Sequence, residues 1–339
     1  MLTVTDNFDL TPHNTFRMKV SCAKYIEYDN ADDLASLDFE SLPQPVMHMG
    51  GGSNLLFTKD FPGTVLHSRA KTLKYVDLGL DEVFMVVGAG VVFDDFVAKA
   101  CEAGYWGAEN LSLIPGEVGA AAVQNIGAYG VEVKDIISGV VCYDTVEKKK
   151  VSIKVAECGY GYRDSMFKQP ENKGRYIVTS VLFRLTRKYS PKLDYGGLKA
   201  AFGDQSPKTP VEVRNAVIAI RNAKLPDPAV LGSAGSFFKN PVIFKAQFAA
   251  IAASVGDGKV PFYDLGGGLV KVPAAWMIEQ CGFKGMQKGG AAVYEKQPLV
   301  IVNMSGNATP EEIISLENEV IAAVKSRFGV ELHPEVEHI

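Results

Sequence analysis

GSAGSFFKNP, residues 232–241, sets Ser236 between a small flexible run and two phenylalanines. A serine hydroxyl becomes a nucleophile when a neighbouring base takes its proton, commonly from a G-x-S-x-G turn that exposes the oxygen. Ser236 sits instead in A-G-S-F-F, and the five histidines (His13, His48, His67, His333 and His338) lie far from it in sequence. On this stretch alone the favoured reading is a glycine-rich turn whose serine caps a backbone N–H, with Phe237 and Phe238 in a core.

Two other stretches have residue types suited to holding a ligand. His48-Met49-Gly50-Gly51-Gly52-Ser53-Asn54-Leu55 places three glycines and two small polar residues directly after an apolar strand. Backbone N–H groups unobstructed by side chains can converge there on a phosphate oxygen, although Gly-Gly-Gly also makes an ordinary loop. SLIPGEVGAAAVQNIGAYGVEV, residues 112–133, is too small, uncharged and glycine-rich for a simple core helix. Its backbone can lie flat against a planar ligand, and amides near Gln124 and Asn125 can bond a polar edge. Together the two stretches favour an extended cofactor, particularly a dinucleotide. Gly88-Ala89-Gly90-Val91-Val92-Phe93 lacks the last glycine of the Rossmann G-x-G-x-x-G, which disfavours a nicotinamide cofactor in its own Rossmann domain.

The elements that must position these residues belong to a large globular chain. The 339 residues are 47% hydrophobic, enough for two or three domains. Thirty-five basic residues against 39 acidic ones argue against a polyanion-binding face and so against a nucleic-acid partner. No apolar run approaches a membrane span, and the N-terminus lacks a basic-then-apolar leader pattern, so the expected location is cytoplasmic. Five scattered cysteines without a C-x-x-C pair predict buried free thiols, neither a disulfide framework nor a metal site.

Short β segments punctuated by glycine fill residues 46–90, from VMHM through LLF, TVLHS and LKYV to VFMVVGAG. FDDFVAKACEAG, 93–104, carries apolar residues at helical spacing and stops at Gly104. Strands follow at 136–144 and 175–185, dense in β-branched residues. Pro191, Gly196, Gly197, Pro207 and Pro210 then break the chain around LDYGGL, as an insertion or hinge would. Thr209-Pro210-Val211-Glu212 and Thr309-Pro310-Glu311-Glu312 repeat one helix-start signal, and the second helix runs to about Phe328 and stops at Gly329.

GGGSNLLF, IPGEVGAAAVQNIGAYGVE, GYRDSMFK, RNAKLPDP, GSAGSFFKNP, WMIEQCGFKGMQKGGAAV and the closing HPEV, in this order and spacing, resemble the motif series of the UDP-N-acetylenolpyruvoylglucosamine reductase (MurB) family of peptidoglycan synthesis. LDYGGL, with Tyr195, resembles the tyrosine-bearing loop of the family's longer form. The resemblance implies an α+β fold: an FAD-binding domain of the vanillyl-alcohol-oxidase/PCMH type in two subdomains, plus a separate α+β substrate-binding domain. The expected boundaries are 1–69 with 330–339, then 70–206 with the tyrosine loop near 188–206, then 207–329. The C-terminal HPEVEHI is expected to return to the first part.

The implied activity is that of a UDP-N-acetylmuramate dehydrogenase serving cell-wall synthesis, and with it cell shape and division. NADPH is the co-substrate that reduces FAD. Hydride then passes from flavin N5 to C3 of UDP-N-acetyl-3-O-(1-carboxyvinyl)-glucosamine, and Ser236 protonates C2 of the resulting basic enolate, which needs no triad. Arg163 is implied to aim its guanidinium at the substrate carboxylate, and Glu335 to donate a hydrogen bond beside it. FAD would be held by Gly50, Gly51, Gly52, Ser53, Asn54, Ile114, Pro115, Gly116, Gly119, Ala120, Asn125, Ile126, Gly127 and Ala128. The UDP-sugar would be held by Tyr129, Tyr195, Lys224, Asn240, Lys284 and Gln297, the two lysines facing its diphosphate.

Two departures stand out. Ala120 and Ala121 occupy positions where some relatives carry serines near the flavin phosphates, and Glu337 follows the Pro-Glu-Val motif where an arginine can occur. Read residue by residue, the chain leaves open an oxidase of the same FAD-binding fold and a catalytically inactive nucleotide-sugar binding protein; the former would not need Ser236, Arg163 and Glu335 together. The expected chain is a monomer in which NADPH and the sugar nucleotide use one cleft in turn.

Overall fold

The computed structural model describes residues 1–339 except 78, 80, 196 and 256–258, so Gly196 of the tyrosine loop lies outside the described residues. The chain divides into two compact units, one of residues 1–9, 21–52 and 61–222, the other of 10–20, 53–60 and 223–339.

The first unit contains two sheets. Thr3–Asp9, Ser21–Tyr28, Phe61–Ser68 and Val46–Met49 lie in that spatial order, with Ser21–Tyr28 and Val46–Met49 both parallel to Phe61–Ser68. The second sheet is an antiparallel array ordered Lys149–Lys154, Ile137–Asp144, Tyr176–Thr186, Glu82–Gly88, Leu73–Asp77. Four helices belong here: α1 (Ala31–Ala35), α2 (Phe93–Glu102), α3 (Val118–Gln124) and most of α4 (Pro210–Lys224). Helix α2 buries Phe93, Phe96, Val97, Ala100 and Cys101, the residues whose spacing predicts its inner face. Phe96 stacks on Phe183 of the sheet at 4.1 Å between ring centroids. Buried positions of α3 join the same core.

The second unit contains a four-stranded sheet, Gly232–Ser233, Ile301–Asn303, Ala291–Val293 and Gln287–Lys288, and a three-stranded one, Val242–Phe244, Leu269–Lys271 and Tyr263–Gly266. Its helices are α5 (Lys245–Val255), α6 (Ala274–Gln280) and α7 (Pro310–Phe328). The start signal of α7 is complete: Glu312 N–H donates to Thr309 Oγ1 at 3.3 Å, Thr309 N–H donates to the Glu312 carboxylate at 3.0 Å, and Gly329 ends the helix at φ 63°. At α4 the cap is half of that. Thr209 Oγ1 accepts from Glu212 N–H, but the Glu212 carboxylate takes the Lys208 N–H instead. The C-terminal Glu337–His338 pairs in parallel with Leu55–Leu56. Four cysteines are buried as expected, whereas Cys281, at the end of α6, is only half-buried. Among the described residues no helix is long and apolar enough to cross a membrane.

Candidate active site

The first unit brings the two small-residue stretches together. A Cβ on Gly50 would lie 3.2 Å from Ala120 Cβ, and one on Gly51 would lie 3.5 Å from Gly116 Cα. Gly119 presses on Ala89 so closely that a Cβ there would meet Ala89 Cβ at 2.9 Å. Bare backbone thus borders the cradle on both sides, the shape a dinucleotide requires, and these residues fit FAD. Ala120 occupies part of that surface and Ala121 is turned into the core. Pro115 is exposed, and Ile114 packs partly on the core.

A charged cluster adjoins the cradle. Glu117, nearly buried, packs its carboxylate near Gly50; His67 Nε2 is 3.2 Å from Glu117 Oε1 and Lys71 Nζ 3.6 Å from it. The other His67 nitrogen faces Glu27 at 3.5 Å. Burial alone pushes the His67 pKa down, but hydrogen bonding and charge from Glu117, then Glu27, outweigh it and the net shift is upward. Sequence reasoning missed this cluster, since His67 and Glu117 are 50 residues apart and each alone is unremarked.

Asn125 organises the segment that carries Arg163. It ends α3 in the left-handed region at φ 44°, ψ 57° and is fully buried. Its Nδ2 donates to the Gly161 carbonyl at 2.7 Å and to Glu132 Oε2 at 3.2 Å, and its Oδ1 accepts from Lys134 N–H at 3.2 Å. Gly161 and Asp164 close a tight turn by reciprocal backbone hydrogen bonds, with Tyr162 and Arg163 at its corner. Arg163, itself at φ 55°, donates from Nη2 to the Gly127 carbonyl at 2.8 Å and lies over the Tyr162 ring. Gly127 and Ala128 form a short hairpin with Val131–Glu132, and Ile126 connects it to α3. One of the two amides expected to face a ligand edge is therefore corrected: the Asn125 side chain is engaged by the protein at both its nitrogen and its oxygen, while Gln124 Oε1 accepts from Lys168 at 2.7 Å. A fully buried amide must be satisfied where it stands, and the Arg163 turn offers the partners.

Positive φ is uncommon outside glycine, and Leu113, Asn125, Tyr129 and Arg163 all show it within the stretches nominated for cofactor and substrate. Tyr129 packs beside Trp106 and Val217, and a Cβ on Gly130 would meet Tyr195 Cβ at 3.1 Å. Arg221 of α4 was missed by sequence reasoning. Its Nε is buried without a hydrogen-bond partner among the described residues, and burial lowers its pKa against the favourable pull of Tyr129 and Asp94. Its place three residues before Lys224, one turn beyond Val217 on the inward face of α4, is the signal that could have found it.

In the second unit, Ser236 and Glu335 stand on neighbouring segments. Glu335 N–H donates to the Phe237 carbonyl at 2.8 Å, and Phe238 bridges Pro334. Phe237 and Phe238 are fully buried, Gly235 turns the chain at φ 71°, and Ser236 is left half-exposed. Its hydroxyl makes no hydrogen bond to another described residue, so it does not perform the capping role. The Asn54 side chain donates to the Glu335 carbonyl at 3.0 Å and the Asn54 carbonyl accepts from Glu337 N–H, so this part of the glycine loop holds the Glu335 backbone. Ser53 is half-buried beside it, and Gly52, at φ 60°, ends the portion of the loop in the first unit. Asn240 caps the start of α6 by accepting from Ala274 N–H at 2.9 Å. Gln297 sits in the turn joining Tyr294 to Val300. Lys284 pairs with Glu279 at 2.7 Å, both half-exposed, a pair weak enough for an anion to displace. Lys224 ends α4 without a side-chain partner among the described residues.

Residues 36–147 match the model of an FAD binding domain, and 227–339 match that of the UDP-N-acetylenolpyruvoylglucosamine reductase C-terminal domain. The chain is 49% identical over 333 residues to the UDP-N-acetylenolpyruvoylglucosamine reductase of Bacteroides fragilis, covering 98% of this chain and 99% of that one. It is 46% identical to that of Chromobacterium violaceum, with 96% of each covered, and 42% identical to that of Porphyromonas gingivalis, with 99% of each covered. The crystal structure of the Thermus caldophilus reductase shares the fold at a TM-score of 0.68 and 22% identity, over 100% of this chain and 98% of that one. With relatives this similar along almost its full length, the chain belongs to the UDP-N-acetylenolpyruvoylglucosamine reductase family, oxidoreductases built on an FAD-binding domain.

Proposed function

We propose that the protein uses NADPH to reduce UDP-N-acetyl-3-O-(1-carboxyvinyl)-glucosamine to UDP-N-acetylmuramate, a step of peptidoglycan synthesis. The observation that carries this reading is Ser236: a half-exposed hydroxyl with no hydrogen bond among the described residues, directly before two buried phenylalanines that touch the Glu335 segment. Bound FAD supplies hydride chemistry, and the residues that would hold it are Gly50–Asn54, Ile114–Gly116, Gly119–Ala120 and, through their backbone, Asn125–Ala128.

The remaining work falls to side chains. Arg163 has a planar five-donor fork, and the Gly127 carbonyl fixes one end of it at 2.8 Å. Held this way it orients the substrate carboxylate and stabilises negative charge as it grows toward the enolate. Glu335 hydrogen-bonds the same region, its backbone fixed by Phe237 and Asn54. An enolate of a carboxylate is basic enough to take a proton from an unactivated alcohol, so Ser236 Oγ gives its proton to C2 and recovers one from solvent. Phe237 and Phe238 limit water around that transfer. Tyr129, Tyr195, Lys224, Asn240, Lys284 and Gln297 hold the nucleotide sugar, Lys224 and Lys284 by charge. The working arrangement is a monomer of three parts, 1–69 with 330–339, 70–206 and 207–329, the last gripping the sugar nucleotide.

Purified protein should show oxidised-flavin bands near about 375 and about 450 nm. NADPH should bleach them and the enolpyruvyl substrate should restore them. Steady-state kinetics should be ping-pong with substrate inhibition, since one cleft serves both reactants. A protein without flavin, or reduced flavin that the enolpyruvyl substrate leaves reduced, contradicts the proposal.

A further inference from the structure

Asn110 lies in the short turn Glu109–Leu111 and is fully buried. Its Nδ2 donates to two carbonyls far apart in the chain, those of Tyr129 and Lys192, each at 2.8 Å. Both amide hydrogens are thereby used, while Oδ1 is buried with no partner among the described residues. Leaving an acceptor unsatisfied is unfavourable, so the amide is poorly accounted for as packing. What asparagine supplies here, and an apolar side chain of the same shape does not, is two donors at a fixed angle.

The two carbonyls are the relevant ones for substrate. Tyr129 stands in the left-handed region at φ 48°, and Gly130 follows at φ 80°. Lys192 opens the segment that leads to Tyr195, and Tyr195 closes on Gly130, where a Cβ would come within 3.1 Å of Tyr195 Cβ. One amide therefore ties the Tyr129 turn to the base of the tyrosine loop.

We propose that Asn110 is the positioning residue that holds the tyrosine loop in register with Tyr129, so that Tyr195 and Tyr129 present one surface to the nucleotide sugar. This rests on the reading that both tyrosines bind that sugar nucleotide. Without Asn110 the loop is released at Lys192 while the flavin cradle, built on other residues, is left in place.

The test uses the holoenzyme with Asn110→Ala. Trypsin cleavage after Lys192 should become about tenfold faster, while cleavage in the exposed turn around Lys148, measured in the same digest, should not change. The KM for the enolpyruvyl substrate should rise about tenfold with FAD content and the flavin spectrum unaltered. Equal cleavage rates after Lys192, or a loosened loop with an unchanged KM, overturn the proposal. Should Asn110→Ala not fold, Asn110→Ser, which keeps one donor in place of two, takes its place and must also speed cleavage after Lys192 and raise the KM; no change in either overturns the proposal. Tyr129→Phe and Tyr195→Phe separate the two readings. If neither shifts the KM, the sugar-binding reading fails and this proposal with it; if either does while Asn110→Ala leaves the KM unchanged, the proposal fails alone.

Discussion

Replacing Asn125 tests whether one buried side chain holds the Arg163 turn in place. Asn125→Gly keeps a residue at ease at φ 44° but removes the donors to Gly161 and Glu132 and the acceptor for Lys134 N–H. Two of these bonds are between neutral groups, worth about 1 kcal/mol each, and the bond to the Glu132 carboxylate is worth about 1.5 to 3, so the loss is about 4 kcal/mol. Asn125→Ala should lose about 1 kcal/mol more, because alanine also resists the left-handed backbone. Urea unfolding followed by circular dichroism gives both differences. Turnover should fall as well, since the Gly161 carbonyl anchors the turn on which Arg163 rides, and kcat should drop more than FAD affinity. If alanine is no worse than glycine, or both lie within about 1 kcal/mol of wild type, Asn125 is not the keystone inferred here.

Three further outcomes follow from the geometry. Gly127→Ala puts a Cβ 2.9 Å from the Val131 carbonyl and 3.0 Å from Arg163 Nη1, so it should lower kcat at least tenfold per bound flavin, measured by turnover normalised to flavin absorbance. Asp94, at the start of α2, accepts both Arg214 nitrogens, at 2.6 and 2.8 Å, and the Leu113 N–H at 2.5 Å. Burial alone would raise its pKa, but these bonds bring it below the usual carboxylate value. Its stabilisation is therefore full above the unfolded carboxylate pKa and lost as pH falls through the folded one, and Asp94→Asn should flatten the acid limb of urea stability and cost about 1.5 to 3 kcal/mol at neutral pH. His67 behaves with the opposite sign. Facing Glu117, Glu27 and the Tyr25 ring, with Lys71 3.6 Å from the same Glu117 oxygen, it has a raised pKa, so its stabilisation is full below the unfolded imidazole pKa and fades as pH rises through the folded one; His67→Gln should abolish that fall in thermal-melt titrations.

Local chemistry made the elements readable. The Thr-Pro-x-Glu signals at 209 and 309 each put a cap, a compatible proline and an acid within one turn, and both open helices. The Phe93–Cys101 spacing identified the inner face of α2 because one turn of helix suffices to define it. The motif series carried the family, and the two small-residue stretches pointed to the cradle because residues without bulky side chains let backbone approach a ligand closely. What stayed hidden depends on contacts between residues distant in sequence. Asn125 looks like a ligand-facing amide until the Gly161 carbonyl, 36 residues on, accepts a hydrogen bond from its Nδ2. Asn110, Arg221 and the His67–Glu117 pair are ordinary polar residues until burial leaves each with few possible partners. Ser236 is the reverse case: its neighbours suggest a cap, and only the folded chain reveals that the hydroxyl caps nothing among the described residues.

The account turns on Ser236 as the acid that protonates C2, and stopped-flow absorbance of the flavin in the two half-reactions tests it most directly. In Ser236→Ala, reduction by NADPH should proceed nearly as in wild type, while reoxidation by the enolpyruvyl substrate should slow by about 10² to 10⁴, the range of general acid catalysis. Ser236→Cys should recover part of that loss, because a thiol can still donate. Equal slowing of both half-reactions, or undiminished reoxidation in the alanine variant, would contradict the assignment and leave the proton at C2 to another donor.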